Sequence, residues 1–578
     1  MKRKSRKEFM KTQNYFITKI YMKALFPNII AVLGGTINVF FDAIFVGQRL
    51  GSVGLESVNQ CLPIYLLLCT VGSLFASGAV SLSSIAFGEN KEEEGKRIFC
   101  GALTGATIVG GILCLLGLIF SVPLAGILGT SKSFPYVLIY LRITLAGGIF
   151  KVLLYLPYSY LRMEGKHKRS AFSMLIMTIL NIVLDYLFLF HLDYGIAGAA
   201  WASVIATVMA VLLSFLFLFT DHSNFAAGIK FLKKEDMIKI IRFGSPMALN
   251  NILSSGRIFV VNLILKSMGI SGLCAIFAIV NNMNELSICV QNGVPQTASS
   301  MTGIFFGEKD SDSVKKMLHL QVLTGVVLSL ILSAIFCLLS GNMGSLFGSK
   351  ENAAFAVICF SISLPLATVN NVFSYYYNSI GQIQMANLIT VCRGFLFVIV
   401  SCMVFCSLGS RVWMFYPAAE IATLFVCLIW GTLTAAKRKV LPVYLLDDRL
   451  EKEGKSISFS VECSSQNICN ASEKIREFCE SNQFSAKTTM AVSLAIEEIL
   501  SIISQKSLSE KGQIDVRVLR YDDQGIVRIR SGGKRYNPME AKDDSMDYMG
   551  VRMIEKLSTK MEYCSFLGIN TLMIFLKV

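Results

Sequence analysis

Charge is scarce in this chain. Only 16% of its 578 residues are Asp, Glu, Lys or Arg, against 53% hydrophobic, and the mean hydropathy is +0.58. No ordinary soluble protein of this size has that balance, so the class is a polytopic membrane protein. Acids are the scarcer sign, 39 against 54 basic residues, for a formal charge of +15. No compact basic, aromatic-interleaved domain carries the surplus, which argues against nucleic acid as a partner. The Lys and Arg flank apolar runs instead, the positive-inside pattern. Histidine is nearly missing, with four in all and none near another. The 16 cysteines are scattered, many inside apolar runs (Cys61, Cys69, Cys114, Cys337, Cys359). They give no disulfide framework or metal-ligand spacing and read as buried small apolar residues. The opening MKRKSRK is not followed by a short apolar stretch with a small-residue cleavage site. That predicts a cytoplasmic N-terminus and no removed signal peptide.

What the chain has is apolar length. Twelve candidate spans precede residue 440, the first core at 24–47 and the last at 412–436. Several exceed the roughly 20 residues a bilayer requires, so tilt or extension beyond it is expected. An even number returns both ends to one side. Lys and Arg gather in the connections starting near Glu89, Arg162, Asp221 and Glu308 and after Lys437. The connections near Gly51, Ser131, Leu192, Gly269 and Gly409 are poor in charge. Both termini are therefore expected in the cytoplasm, in a multi-pass protein of the plasma membrane surrounded by lipid.

The sequence also repeats. FGENKEEEGK at Phe87–Lys96 is echoed by FGEKDSDSVK at Phe306–Lys315. The same offset sets Pro27 against Pro246, and Gly51 opposite Gly269 within one residue. Spans one to six and seven to twelve then form two parallel copies of a six-helix unit. Two such bundles leave a central cleft, which favours a transporter over a channel.

One acid interrupts the first span. Asp42 lies in NVFFDAIFVGQRLG, where insertion of a carboxylate costs roughly 2.5–3.5 kcal/mol. Span five reads NIVLDYLFLF, and the i, i+4 spacing of Asn181 and Asp185 stacks both on one face. Counting 1.5 Å per residue puts Asp42 and Asp185 at one level, roughly 9 Å below the outer surface, with Ser203 of span six about 12 Å deep. Four oxygen-bearing side chains at one level suggest a site for Na⁺ or H⁺; bridging between helices is the alternative. The second copy has Val260 and Val261 where the first has Asp42, and its deep carboxylates are Glu285 and Glu420. Glu285, with Tyr376 and Tyr377 from the cluster Phe373, Tyr375, Tyr376, Tyr377, are candidates for contact with a flat or cationic organic substrate.

These motifs carry a resemblance. Pro27, FFDAIFVGQRLG, FGENKEE, LRMEGKHKRSAF, NIVLDY, GIAGAAWASVIA, IFFGEKDSDSVKK and WMFYPAAEIATL together resemble the multidrug and toxic compound extrusion (MATE) family over residues 1–440. The resemblance implies twelve helices in two bundles (24–221 and 236–440, after a basic N-terminus at 1–23), a V-shaped cleft, and export of organic molecules driven by inward Na⁺ or H⁺. It implies a cation site at the positions of Asp42, Asn181, Asp185 and Ser203. The acids that other members carry in the second lobe have no match here.

The composition changes after a linker at 441–455. Residues 456–578 are charged, contain no span, and read strand, helix, helix, two strands, helix, two strands, a two-layer α/β domain. That domain resembles the GHKL-type ATPases, particularly anti-sigma-factor serine kinases. The correspondence sets Glu498 at the catalytic acid, Ile502 in place of a magnesium-binding Asn, and Ser531 in place of the adenine-reading Asp. Gly533 falls in the adenine loop and Gly550 in the lid, with Tyr548 where an upstream glycine is expected. Magnesium requires hard oxygen ligands, and Ile502 has none. The expectation is a tail that keeps the fold without turning over ATP, needs no cofactor, and docks or regulates, with a cytoplasmic protein as a candidate partner. The competing readings are a membrane-anchored protein kinase or anti-sigma-type regulator, opposed by Ile502 and Ser531, and a lipid-linked-sugar flippase. A flippase would want a basic lateral groove, and Lys151 and Arg393 are the intramembrane bases this reading noted.

Overall fold

A computed structural model describes residues 2–577, apart from 90, 130–131, 221–233, 269–271, 343–352, 410, 448–452, 454, 507–512, 522–523, 534–535, 539–548 and 567. Ser131, Asp221, Gly269 and Tyr548 lie outside the described residues, as does part of the linker. The first helix, α1 (Lys2–Gly88), contains spans one and two, separated by a break at Gly51, where φ is +66°. Only glycine takes that conformation without strain, which is why the chain turns there. Then come α2 (Glu92–Ile119), α3 (Ser121–Leu128), α4 (Phe134–Ala146) and α5 (Gly148–Met163). Span four is α4 and α5 together, bent by 45°. The first half ends with α6 (His167–Tyr186), a π-helical turn at Leu187–His191, and α7 (Gly195–Phe219).

The second half is α8 (Lys234–Ser267), α9 (Leu273–Gly307), α10 (Ser311–Leu339), α11 (Ala354–Ser379), α12 (Ile383–Val391), α13 (Phe397–Ser407) and α14 (Phe415–Arg438). A π-helical turn at Cys392–Leu396 joins α12 to α13 into one span. Among the described residues ten helices are long and apolar enough to cross a membrane, eleven with the bent pair. The remaining element of the expected twelve is α9, whose Asn, Gln and Glu residues dilute its hydropathy. Proline inside a span withholds one helical hydrogen bond. At Pro246 the carbonyl thereby freed, Arg242 O, accepts instead from the Ser245 hydroxyl at 2.7 Å.

The halves meet at the end of the bundles that bears the tail. There one hydrophobic core draws on both, with Tyr21, Phe75 and Ala79 from the first half and Met301, Phe305 and Tyr376 from the second. Asn28 Nδ2 donates across the seam to Gly293 O (2.7 Å) and Thr297 Oγ1 (2.9 Å), and Asn378 Nδ2 to Ser81 Oγ (3.2 Å). The echoed FG motifs touch: a Cβ on Gly88 would lie 2.9 Å from Gly307 Cα, so the backbones approach closely only because both lack one. Toward the other end the cores are separate. Cys61, Val137 and Leu141 cluster within the first half, and Val261, Leu265, Phe277 and Trp413 within the second.

The tail has five antiparallel strands in the order β1-β2-β3-β5-β4: β1 (Ser456–Glu462), β2 (Gln513–Tyr521), β3 (Gln524–Gly532), β4 (Ser558–Phe566) and β5 (Ile569–Lys577). Its helices are α15 (Ser465–Ser481), α16 (Ala486–Lys506) and α17 (Met549–Leu557). Strands alternate faces. Ile514, Val516, Val518, Val527 and Ile529 share the core with Ile475, Ile496 and Ile554 of the helices. Asp515, Arg517, Arg528 and Arg530 stand on the opposite face, and all four are buried.

Candidate cation site

The first-half residues predicted at one level do converge. Asp42 and Asp185 lie at hydrogen-bonding range of each other, from α1 and α6. The Asn181 amide, with its nitrogen toward the acids, donates to Asp185 Oδ2 (3.2 Å) and Asn38 Oδ1 (2.5 Å), and its oxygen accepts from the Ser203 backbone N–H (3.2 Å). The Ser203 hydroxyl, with one proton to give, stands 3.2 Å from that amide oxygen and 3.3 Å from Asp42 Oδ2, either of which can accept it. Asp42 Oδ1 and Asp185 Oδ1 are buried without a hydrogen-bond partner among the described residues. Two carboxylates this close in a dry bundle repel, and a bound cation or a shared proton relieves them. Two carboxylates with amide and hydroxyl oxygens match the hard-ligand preference of such an ion.

The site includes residues that the sequence reading passed over. Asn38 precedes Asp42 by one helical turn, so its i, i+4 spacing was available as a signal. Lys151 on α5 is close enough to Asp42 for their charges to interact, and its Nζ stands 4.7 Å over the Tyr65 ring. Tyr65 and Tyr140 also lie within electrostatic reach of Asp42. Neither tyrosine has a sequence pattern that would have singled it out.

The second half is organised differently. Glu420 is paired with Arg393 Nε at 3.1 Å and accepts from Asn370 Nδ2 at 2.8 Å, and Arg393 also donates to Gln291 Oε1. Glu285 is solvent-accessible and faces Arg257, a third intramembrane base that the sequence reading did not count. A small polar niche within the second half is lined by Asn250, Asn292, Asn371, Ser374, Tyr375 and Thr390. Tyr376 and Tyr377 do not line it, which corrects their selection as cleft residues. Both are fully buried, and their hydroxyls donate to Tyr444 O (2.8 Å) and Val443 O (2.6 Å), fixing the start of the linker.

In the tail, Glu498 Oε2 accepts from the Val551 backbone N–H at 3.1 Å, so the acid caps the helix that starts beside Gly550. Ile502 packs in the tail core, Ser531 is buried at the end of β3, and Gly533 has φ of +114°. The hydrogen bond to Val551 brings Glu498 beside Gly550, and Ile502 offers only an aliphatic side chain.

Comparison with known proteins agrees with the duplicated architecture. The chain is 24% identical to the multidrug export protein MepA of Staphylococcus aureus over 432 residues, 73% of this chain and 91% of that protein. It is 23% identical to the Staphylococcus saprophyticus protein of the same name over 433 residues, 73% of this chain and 92% of that one. Among solved structures, an outward-facing multidrug resistance MATE transporter of the MOP superfamily matches with a TM-score of 0.68 at 21% identity, covering 73% of this chain and 97% of that one. A MOP superfamily transporter from Pyrococcus furiosus matches with a TM-score of 0.68 at 22% identity, covering 74% and 97%. The MatE family model matches twice, over residues 27–187 and 246–404, starting at the two prolines that the internal offset had paired. Those two matches together span more than half of the chain, which belongs to the MatE family.

Proposed function

We propose that the chain exports organic compounds across the plasma membrane in exchange for inward Na⁺ or H⁺, with Asp42 and Asp185 as the coupling pair. The observation that carries this reading is the facing pair of buried carboxylates, each with one unsatisfied oxygen, held by Asn181 and Ser203. Binding a cation there removes a repulsion that every other state of the site retains. A bundle arrangement that relieves the pair differently is favoured or disfavoured by the ion, as alternating access requires. Export of drugs by the MepA relatives supports an organic substrate, and the amide-rich niche supplies neutral donors and acceptors for one. In this reading both termini lie in the cytoplasm, because the basic connections do.

The tail is a GHKL-like domain without ATP turnover, serving regulation. Ile502 in its core supports this, since it removes the oxygen ligand through which magnesium would be held. The deciding experiment is substrate-induced Na⁺ or H⁺ flux in proteoliposomes, wild type against Asp42→Asn. Flux that is retained in the variant overturns the coupling role.

A further inference from the structure

The buried charged face of the tail sheet has a specific occupant. Glu308, Lys309 and Asp310 form the turn between α9 and α10, the second copy of the FGE motif. Arg517 donates to Asp310 Oδ1 (2.5 Å) and Lys309 O (3.0 Å). Arg528 reaches Glu308 Oε2 (2.9 Å), Asp310 Oδ2 (2.7 Å) and, with its other nitrogen, Asp515 Oδ2 (3.1 Å). Arg530 pairs with Glu308 and lies 4.4 Å over the Phe305 ring. The side chains of all six charged groups are at most 3% exposed. Three guanidinium groups face three carboxylates, with Lys316 adding a positive charge beside Asp310 and Asp515, and every member depends on the others.

The same sheet also grips the first half. The Phe566 ring of β4 lies 3.9 Å from the Phe87 ring, centroid to centroid, and Phe566 and Ile569 join the core that unites the halves. The residues held on the two sides are the echoed motifs themselves, Phe87-Gly88 from one copy and Phe305 to Asp310 from the other. Their glycines are in contact, so any opening of the cleft toward the tail side must separate them. One rigid sheet fastened to both sides opposes that separation. The linker is tied down as well, through Ser311 Oγ to Asp447 O at 2.7 Å and the two tyrosine contacts at Val443 and Tyr444.

We propose that the tail is a latch on the cytoplasmic gate: docked through Arg517, Arg528 and Arg530 to Glu308 and Asp310 and through Phe566 to Phe87, it holds the two halves closed, and the transporter opens inward only when the sheet lets go of one side. This rests on the alternating-access reading above. It assigns the tail a substrate-independent role, the control of how often the cytoplasmic entrance is available. A ligand can shift such an equilibrium only through different contacts in the two states, and the docked sheet makes contacts to both halves that the open state loses.

The test uses the full-length chain in inside-out vesicles. Ser81, 2% exposed and bonded across the seam to Asn378, is changed to cysteine (Ser81→Cys). The rate of its modification by a membrane-impermeant maleimide is followed at that residue by peptide mass spectrometry. Labelling is expected to be slow in the otherwise unaltered chain, to rise about tenfold or more when Glu308→Gln and Asp310→Asn are added, and to rise by a few-fold with Phe566→Ala. Unchanged labelling in both variants overturns the latch. Equal acceleration at Cys61, buried in the separate first-half core, means general loosening and also overturns it. If the acid double variant does not insert, Phe566→Ala alone decides. The labelling is read with Asp42 unaltered and without substrate or ion gradient, and the flux test is read with the tail contacts unaltered, so the two readings fail separately.

Discussion

The two copies of the repeat treat buried carboxylates in opposite ways. In the first, Asp42 and Asp185 face each other, bonded to neutral donors with Lys151 in electrostatic reach but in no direct ion pair with either acid among the described residues, and each keeps an oxygen without a partner. In the second, Glu420 is matched to Arg393, and Glu308 and Asp310 are matched to arginines of the tail. A carboxylate paired with a fixed guanidinium has no need of a mobile ion, because the arginine remains charged at any physiological pH. A carboxylate pair without one does. In the proposed reading the duplicated fold divides its labour accordingly, with an exchangeable site in the first half and permanent pairs in the second.

The contrast is broken most directly at its larger end. Asp42→Asn should reduce coupled export by about 100-fold or more, the scale of removing a group needed in every turnover. Asp185→Asn should reduce it too. The double variant should be no worse than Asp42→Asn alone, because residues acting as one site are not additive. Multiplicative losses in export would mean two independent sites. In the second half the corresponding loss is one of stability. Glu420→Gln leaves the half-buried Arg393 without its counter-charge, at a cost of about 1.5–3 kcal/mol, read as a lower unfolding midpoint in detergent. Replacing both partners, Arg393→Met with Glu420→Leu, should recover most of that. If Glu420→Gln instead left the midpoint unchanged and abolished export, the second half would hold a coupling acid and the contrast would be wrong.

The sequence exposed the transport half of this comparison more fully than the latch half. Asp42, Asn181 and Asp185 were legible because charge inside an apolar run is conspicuous and because i, i+4 spacing places two side chains on one face. The order and type of every tail element were also legible, from alternation and periodicity alone. Asn38 sat in plain view one turn before Asp42. Arg257 was passed over within a long span. The two tyrosines were misplaced because an aromatic run does not say which face of α11 meets the cleft. The arginines of VRV and VRIRS alternate with apolar residues in the way of any strand with one wet face. Nothing local says that this face is dry, since the residues covering it lie more than 200 positions earlier.

Smaller effects sharpen the account of the linker. Tyr376→Phe removes a single hydroxyl that donates to Tyr444 O, and its expected cost is about 1 kcal/mol of stability, with export of the same compounds retained. A change in which compounds are exported would return Tyr376 to the cleft.

The smallest expected effect is that of pH on the docked tail, and its sign follows from the groups involved. Burial by itself would raise the Asp310 carboxyl, but Arg517, Arg528 and the Ser313 hydroxyl overcome it and hold it well below the usual carboxylate range. A depressed carboxyl stabilises the docked form fully at pH above its ordinary value of about 3.9, and that contribution is lost as pH falls below it. Asp515 runs the other way: burial raises it, only partly offset by Arg528, so its protonation on acidification relieves rather than weakens the docked form. Lys316 faces both acids and is a further positive charge beside the cluster. The opposing signs leave little net change until Asp310 itself begins to protonate. Maleimide labelling of Ser81→Cys, corrected for thiolate fraction, should therefore stay flat between pH 8 and about 5.5 and climb only near or below about pH 4. A labelling midpoint near pH 6 would show that a group other than Asp310 governs the latch, and the account of the docked face as permanent pairs would not hold.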